Sequence, residues 1–440
     1  MEIVYERCSG LDVHKKKVVV CSSTPDAAGQ RLKETRTFRT TTQDLLHLLD
    51  WLKDKGCTHI AMESTGVYWK PIYNLLEGHF EVLIVNAQHI KAVPGRKTDV
   101  KDAEWIADLL AHGLLKGSFI PPAQQRELRE LTRYRSSLVE DRTRVVNRLQ
   151  KVLEDTNIKL GDVATDILGK SARAMLEAML GGQTDPKVLA ELARGRMRAK
   201  RAELEQALVG VFKPHHRFLL TELLAQVDTL DEAITRVGNE IATRMQEVSL
   251  EQDQAEQPES SPATEVETDE KPPLTWAQAI VLLCSIPGIS RRAAEGILAE
   301  IGLDMTRFPS AGHLASWAGM CPGNYESAGK RLGGKTRKGS PYLRKFLVEA
   351  AHGAAHSKNT YLSAQYHRLA ARRGKKKAMV AVGHTILIMI YHMLLQHKSY
   401  EELGGNYFDE RERQATEKRL VRRLEKLGYQ VELQPVSQVA

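Results

Sequence analysis

The feature that most constrains the fold is an alternation of short β-strand and helix patterns in the first 86 residues. Three strand patterns come first, followed by a helix, a fourth strand, a second helix and a fifth strand. The predicted strands are residues 11–13, 18–21, 35–40, 59–63 and 81–86, and the first helix is residues 42–55. Strands of antiparallel character followed by alternating helices and strands are typical of a mixed sheet. The sequence therefore predicts an α/β N-terminal domain, residues 1–120.

Four carboxylates fall at or near the ends of these segments. Asp12 lies within the first strand, Glu63 ends the fourth, and Asp99 and Asp102 open the helix after the fifth. Open α/β sheets place their sites at the carboxyl ends of strands, where four acidic groups would repel one another unless a cation lay between them. Mg²⁺ prefers such oxygen ligands. Alternatively, Asp99 and Asp102 form only the acidic start of a solvated helix.

A basic segment containing several glycines lies in the second half of the chain. Between Lys330 and Lys345 there are seven Lys or Arg residues and no acidic residue. Glycines let the backbone approach a phosphate chain closely, so this segment predicts nucleic-acid binding. Ser327 precedes it, and from the residues alone such a serine is typical of a turn. The predicted nucleic-acid-binding residues are Lys330, Arg331, Lys335, Arg337, Lys338, Arg344 and Lys345.

Taken together, these motifs resemble the DEDD-type insertion-sequence transposases. That group comprises the insertion-sequence family one hundred and ten, its eleven-eleven group and the related Piv-type invertases. The resemblance covers most of residues 8–112 and 276–395. The motifs that carry it are Gly10–Lys15, Met62–Tyr68, Lys97–Ala103, Glu326–Gly329 and Gly339–Arg344.

The resemblance implies a fold, a chemistry and partners. It implies an RNase H-like, RuvC-type N-terminal domain in which Asp12, Glu63, Asp99 and Asp102 bind Mg²⁺ or Mn²⁺. It also implies that Ser327 is a catalytic nucleophile, forming a covalent phosphoserine with DNA at the element ends and the target. A structured noncoding guide RNA would select the DNA, in the nucleoid-associated part of the bacterial cytoplasm.

Long helical patterns occupy residues 121–250. Apolar residues recur at seven-residue spacing in 128–152 and again in 220–241, which predicts a coiled coil within the chain or between protomers. We therefore expect a homo-oligomer, a dimer or tetramer, in which a complete site is assembled between protomers. The first of these helices is rich in arginine, which indicates either nucleic-acid contact or a solvated face.

The C-terminal half begins after an acidic segment. Residues 251–275 have the composition of a disordered linker. Residues 276–400 predict a mainly α transposase domain whose first two helices, around the turn Ile286–Ser290, form either a helix-hairpin-helix element or a plain helical hairpin. The apolar run Ala378–Leu395 contains Gly383, His384 and His392 and predicts a buried helix, not a membrane span. Residues 401–440 form a tail.

Composition bounds the function. The formal net charge is +8, the pI is about 9.1, and the basic residues favour an acidic partner such as nucleic acid. Five scattered cysteines without a C-x-x-C pair favour a reducing, cytoplasmic setting, and the N-terminus shows no secretory signal. Two alternatives to the recombinase stay open. One is a RuvC-like junction resolvase that cuts with metal-activated water, and the other is a non-catalytic nucleic-acid-binding scaffold.

Overall fold

The computed structural model of the chain forms two compact units, Met1–Pro121 and Pro122–Ala440. It describes residues 2–26, 29–64, 66–86, 102–255, 274–323, 325–327, 329–333, 336 and 338–432. The first unit is built around a sheet, and the second is almost entirely helical. The finer predicted boundaries, at 120, 250, 275 and 400, stay predictions.

A five-stranded sheet forms the centre of the first unit. Its strands are β1 (Cys8–Val13), β2 (Lys17–Pro25), β3 (Arg31–Arg39), β4 (His59–Glu63) and β5 (Glu81–Val85). The order is β3-β2-β1-β4-β5; β1, β2 and β3 pair antiparallel, whereas β1, β4 and β5 pair parallel. The predicted mixed α/β sheet and its five strands are confirmed.

Helices cover both faces of this sheet. The helices α1 (Thr42–Asp54) and α2 (Trp69–Leu76) pack on the face that carries Leu11 and Met62. The helix α3 (Asp102–Ala111) packs on the opposite face, against residues such as Ala61. Successive side chains of a strand point to opposite faces, so β1, β2, β4 and β5 contribute apolar residues to both layers.

In the second unit, two long helices form an antiparallel pair. These are α4 (Ala123–Asp155) and α9 (Pro214–Ala255). His216 Nε2 lies 3.0 Å from Asp155, and Arg142 Nε lies 2.5 Å from Asp231, so α9 retraces α4 in the opposite direction. The two helices that carry the heptads therefore pair within the chain, and the coiled coil itself stays a prediction.

The arginines of α4 are mostly used inside the protein. Arg133 pairs with Glu300 and Arg142 with Asp231, and Arg135 forms a buried pair with Glu295. These three contacts tie α4 to its neighbours and leave less of the helix for nucleic acid than its charge suggests. The carboxylate partners lie 89 to 167 residues away along the chain, so sequence spacing gives no sign of them.

Short helices form the segment of the chain between α4 and α9. They are α5 (Leu160–Val163), α6 (Lys170–Leu180), α7 (Pro186–Glu191) and α8 (Arg201–Ala207), with a 3₁₀ turn at Gly195–Lys200. Their apolar residues form one cluster with Leu149 and Leu153 of α4 and Leu220 and Leu224 of α9. This region closes one end of the helix pair. The helix α9 continues to Ala255, beyond the predicted start of the linker at 251; residues 256–273 lie outside the described residues.

Six helices build the core of the C-terminal half. They are α10 (Trp276–Cys284), α11 (Arg291–Ile301), α12 (Ala311–Trp317), α13 (Pro341–His356), α14 (Tyr361–Arg373) and α15 (Lys375–Gln396). They share one apolar cluster with the first part of α4 and the last part of α9. The short helices α5 to α8 pack at the other end of that helix pair. Two further helices, α16 (Tyr407–Arg411) and α17 (Arg413–Glu425), lie in the tail.

Two predictions for this half can be compared directly with the structure. The helix α15 is long and apolar enough to cross a membrane by length and composition, but half of its most apolar window is buried against other helices. The predicted buried helix is therefore confirmed. The helical hairpin of α10 and α11 is also confirmed, and its Gly288, at φ +92°, packs against the α13 backbone. Phosphate binding by this turn stays a prediction.

Candidate active site

Asp12 and Glu63 lie side by side on neighbouring parallel strands. Leu11 of β1 pairs in register with Met62 of β4, and each acid is the next residue along its strand. Parallel strands run about 5 Å apart, so the two backbones are adjacent at the carboxyl end of the sheet. Because Leu11 and Met62 belong to the α1 and α2 side, Asp12 and Glu63 face the side covered by α3.

Asp102 is the first residue of α3 and lies at the same edge. The helix crosses β1 at Gly10: a Cβ added there would stand 2.3 Å from both Ala103 O and Ala107 N. Asp102 directly precedes Ala103, and Asp12 is two residues beyond Gly10, about 7 Å along the strand. The structure therefore brings the backbones of three of the four predicted acidic residues to one end and one face of the sheet. Asp99 lies outside the described residues.

The Asp12 carboxylate is largely buried and is in contact with the imidazole of His14. Its Oδ2 lies 3.1 Å from His14 Nε2, and the Asp12 side chain is only 14% exposed, against 49% for His14. The imidazole holds the carboxylate in place and remains open to solvent. Neither His14 nor Gly10 was singled out from the sequence, although a glycine inside a strand pattern indicates close backbone approach.

Ser327 lies on a small β-hairpin in the second unit. The strands β6 (Tyr325–Ser327) and β7 (Lys330–Gly333) pair antiparallel, with Ser327 opposite Lys330. Ser327 is thus the last residue of β6. Gly329, just before β7, has φ +74°, a conformation that favours glycine. This position next to a hairpin turn is compatible with both predictions for Ser327, as a turn residue and as a nucleophile.

Both ends of this hairpin are anchored to the helical core. Pro322 and Thr336 form an isolated antiparallel bridge at its base. A Cβ at Gly339 would stand 2.3 Å from the Ala318 carbonyl carbon, so the chain passes directly over the end of α12. Ser340 Oγ then donates to Glu300 across 3.0 Å. The segment that follows the hairpin is therefore tied to the helical core.

Glu300 is the buried centre of that anchor. Its side chain is 1% exposed and accepts two hydrogen bonds from Arg133, at 2.6 and 2.9 Å, besides the one from Ser340. Ser340 Oγ also accepts from Leu343 N as the N-cap of α13. A carboxylate in this position joins α4, α11 and the segment that carries the hairpin. No sequence pattern indicates this role, because Arg133 and Ser340 lie 167 and 40 residues from Glu300 along the chain.

The predicted nucleic-acid-binding residues are not all placed alike. Lys330 and Lys338 are exposed, and Arg344 donates to Thr336 Oγ1 across 2.7 Å. Lys345 donates to Ser136 and pairs with Glu140, each at 2.8 Å, which ties α13 to α4. Arg331 is described by its backbone alone, and Lys335 and Arg337 lie outside the described residues.

In the second unit, the structure brings together three side chains that could hold a cation, which the sequence did not indicate. Asp155, His215 and His216 have ligand atoms within 4.8 Å of one another, where α4 ends and α9 begins. A carboxylate with two imidazoles suits zinc or a similar ion. However, Lys213 N donates to His216 Nδ1, which leaves Nε2 as the donor to Asp155. These hydrogen bonds satisfy both ring nitrogens of His216 without an ion.

Comparison with known families now identifies the chain. The DEDD-type transposase model of the IS110 group, described as "Transposase", matches residues 9–158, which include all four predicted acids. The model "Transposase IS116/IS110/IS902 family" matches residues 281–368, which include Ser327 and the basic segment. The chain belongs to the IS110 family of insertion-sequence transposases. The predicted resemblance is confirmed.

Individual relatives of this transposase agree with that assignment. It is 24% identical over 78% of its length to a "Probable family 20 transposase" of Pseudomonas aeruginosa, covering 85% of that protein. It is 27% identical over 70% of its length to "Insertion element IS110 uncharacterized 43.6 kDa protein" of Streptomyces coelicolor, covering 73%. It is 22% identical over 78% of its length to "Transposase for insertion sequence element IS1111A" of Coxiella burnetii, covering 79%.

Proposed function

We propose that this transposase is a DNA recombinase that cuts and rejoins strands through a covalent bond to Ser327, assisted by a metal held by the acidic residues of the sheet. The observation that carries the proposal is the convergence of Asp12, Glu63 and Asp102 at one edge and one face of the sheet. The strand order β3-β2-β1-β4-β5, with three antiparallel strands and two parallel ones, supports an RNase H-like, RuvC-type fold.

The donor set fits a hard divalent cation. Asp12, Glu63 and Asp102 supply only carboxylate oxygens, which Mg²⁺ and Mn²⁺ prefer, and we assign Asp99 to the same set from the family motif. When bound, such an ion polarises a phosphodiester and stabilises charge on its oxygens. The protein's own part is to hold the carboxylates: β1 and β4 fix two of them, and the packing of α3 on Gly10 fixes the third.

Ser327 is the proposed nucleophile. Its Oγ would bond to phosphorus while the bond from phosphorus to one neighbouring sugar oxygen breaks. The serine proton passes to a base and the leaving oxygen takes up a proton. Attack by another strand's hydroxyl reverses these steps and frees the serine. A position near the tip of a hairpin supports this role. The tip can reach a duplex while the Pro322–Thr336 bridge holds the other end of the hairpin. Exposed Lys330 and Lys338 would attract the phosphates.

The partners in this proposal are DNA, a guide RNA and further copies of the chain. The basic composition favours nucleic acids of either kind, and the guide RNA follows from the family alone. The heptads do not by themselves support assembly, because heptad residues such as Leu128, Leu149 and Ile241 are buried within the chain. Support comes instead from Val209, Val211, Phe218 and Leu219, four large apolar side chains that are 43% to 65% exposed near the start of α9.

A covalent-trapping experiment tests the serine step. Labelled DNA carrying the element ends is incubated with the full-length protein and Mg²⁺, and the reaction is quenched in detergent. We expect a protein–DNA adduct whose protease digest gives a nucleotide-bearing peptide that contains residue 327, and no adduct with Ser327→Ala. Cleaved ends without an adduct would favour the junction resolvase, and binding without cleavage would favour the scaffold.

A matched serine control accompanies the trapping experiment. Ser357 follows α13, and its Oγ donates to Gly353 O within the last turn of that helix. Ser357→Ala removes a hydroxyl from the same unit without touching the hairpin or its anchor, so the adduct should form as in the wild type. Loss of the adduct in both variants would mean that removal of Ser327 acts through the fold and not through the chemistry.

A further inference from the structure

A cavity of about 880 Å³ lies at the base of the Ser327 hairpin, in the size range of sites for small organic ligands. Pro322 and Thr336, the two residues that bridge the hairpin base, form part of its wall. The rest comes from Met320, which follows α12, and from α13, α14 and α15. Met320, Leu369 and Val380 give the cavity apolar sides. It is therefore adjacent to the proposed nucleophile's hairpin and partly apolar.

One rim of this cavity is strongly basic. Arg344, Arg373, Lys376 and Lys377 line it, and none of its described lining residues is acidic. Arg373 ends α14 and the two lysines lie in the first turn of α15. Cations at a helix N-terminus oppose the helix dipole, so this arrangement is unfavourable without an anion. Within the described part of the chain, no ion pair involves these two lysines or Arg373.

Gln365, one of the residues that line the cavity, carries a side-chain acceptor without a partner in the described ranges. Gln365 Oε1 is buried and accepts no hydrogen bond from the described residues. Its orientation is determined by the neighbours: Thr385 Oγ1 donates to Ala381 O across 3.2 Å, so it must accept from Gln365 Nε2, 2.9 Å away. Turning the amide round would lose that bond. A buried acceptor that accepts no hydrogen bond costs free energy, so a hydrogen-bond donor from a ligand would be stabilising.

His384 adds a neutral hydrogen-bonding group to the same wall. Burial lowers the pKa of its imidazole below the usual value of 6.5, so the ring is uncharged at neutral pH. The cavity thus combines apolar sides, uncharged hydrogen-bonding groups in its wall and cations at its rim. An unstacked nucleotide has the complementary chemistry, with a flat base that carries hydrogen-bonding edges and phosphates on either side.

We propose that this cavity binds one unstacked nucleotide of a nucleic-acid strand, with an exocyclic amino group of its base donating to Gln365 Oε1. Its flanking phosphates lie against Arg344, Arg373, Lys376 and Lys377. Adenine, cytosine and guanine carry such an amino group, whereas thymine and uracil do not. The proposal rests on the proposed function only in placing the nucleotide next to the phosphate that Ser327 attacks.

Binding of short labelled single strands to the full-length protein tests the base contact. The probes are a thymidine dodecamer and the same strand with one central adenosine or cytidine, in DNA and, with uridine, in RNA. We expect the amino-bearing strands to bind about fivefold more tightly than the uniform strand, the worth of one hydrogen bond. The nucleic acid with the larger ratio is the natural occupant. In Gln365→Met, which keeps the size and loses the acceptor, the ratio should fall to one.

The phosphate contacts have a separate signature. Lys376→Gln with Lys377→Gln should weaken binding of every strand about equally and make it less dependent on salt. The matched control is Lys170→Gln with Lys187→Gln, two exposed lysines on α6 and α7, which should change neither. Equal binding of all strands by the wild type, or a ratio unchanged in Gln365→Met, would overturn the nucleotide site. These binding measurements need no cleavage. The nucleotide site can therefore be disproved while the Ser327 adduct forms, and supported when no adduct forms.

Discussion

Gly10 of β1 lies directly beneath Ala107 of α3, with space for hydrogen alone between the two backbones. A methyl group at position 10 would stand 2.3 Å from Ala107 N and 2.3 Å from Ala103 O. Real Cβ atoms do not approach backbone so closely, so the helix would have to move. Since Asp102 begins this helix, the position of its carboxylate depends on a residue two places before Asp12.

Gly10→Ala should therefore separate the carboxylates. We expect a loss of about 1–3 kcal/mol in the free energy of unfolding, the usual range for overpacking, and a much larger proportional loss of DNA cleavage. Denaturant unfolding and cleavage assays measure the two. Gly117→Ala is the control in the same unit, because its added Cβ would meet only Leu83 side-chain atoms, the nearest at 3.5 Å. Wild-type cleavage by Gly10→Ala would show that α3 has no part in the site.

Asp102→Asn tests the acidic group itself. The substitution keeps the size and removes a charge that repels its neighbours when no cation is bound, so the metal-free protein should melt at the same temperature or higher. Cleavage in Mg²⁺ should fall about a hundredfold or more. Mg²⁺ should also raise the melting temperature of the wild type and not of the variant. Glu104→Gln, two residues along the same helix, should retain both responses; a similar loss there would point to a general charge effect.

The Arg135–Glu295 pair should be important for stability. The two side chains are 6% and 5% exposed and meet at 2.7 Å, joining α4 to α11. Burial lowers the pKa of the Arg135 guanidinium, and the bond to Glu295 opposes that change. Arg135→Met leaves a buried carboxylate with one partner fewer and should reduce the free energy of unfolding by about 3–5 kcal/mol.

A double variant separates pairing from packing. Arg135→Met with Glu295→Met should recover much of the lost stability, because apolar replacements of a buried pair are often tolerated. Arg144→Met breaks only the exposed pair with Asp141 and should leave the thermal midpoint nearly unchanged. If Arg135→Met and Arg144→Met behaved alike in thermal unfolding, the pair would not be buried in solution.

The strands of the sheet could be predicted from the sequence for a physical reason. The sequence signals of a strand are local: β2, β4 and β5 contain short apolar runs. The convergence of Asp12 and Glu63 was also predictable, since parallel strands end at a common edge. The close packing at Gly10 was not, because it depends on where α3 lands on the sheet. The same holds for Glu300, whose partner Arg133 is 167 residues away.

His384 predicts a pH dependence of stability with a definite sign. Its pKa is lowered by burial in the folded protein, so the unfolded chain binds the proton more readily. The contribution of this group is fully present above the unfolded pKa near 6.5 and is lost as the pH falls through the folded value. Thermal midpoints between about pH 5 and 7.5 should therefore decline less steeply on acidification in His384→Gln than in the wild type. Parallel curves would mean that the ring is solvated.

The helix pair and the subunit interface can be told apart by two substitutions on α9. Val227 is 1% exposed, whereas Phe218 is 65% exposed. Val227→Asp places a charge in the seam with α4 and should lower the free energy of unfolding by several kcal/mol. Phe218→Asp touches no buried contact and should leave the melting temperature alone, but it should lower the mass in sedimentation if this surface joins protomers. If Val227→Asp lowered the mass without affecting unfolding, the seam would lie between protomers and the proposal of a site shared across them would regain its original support.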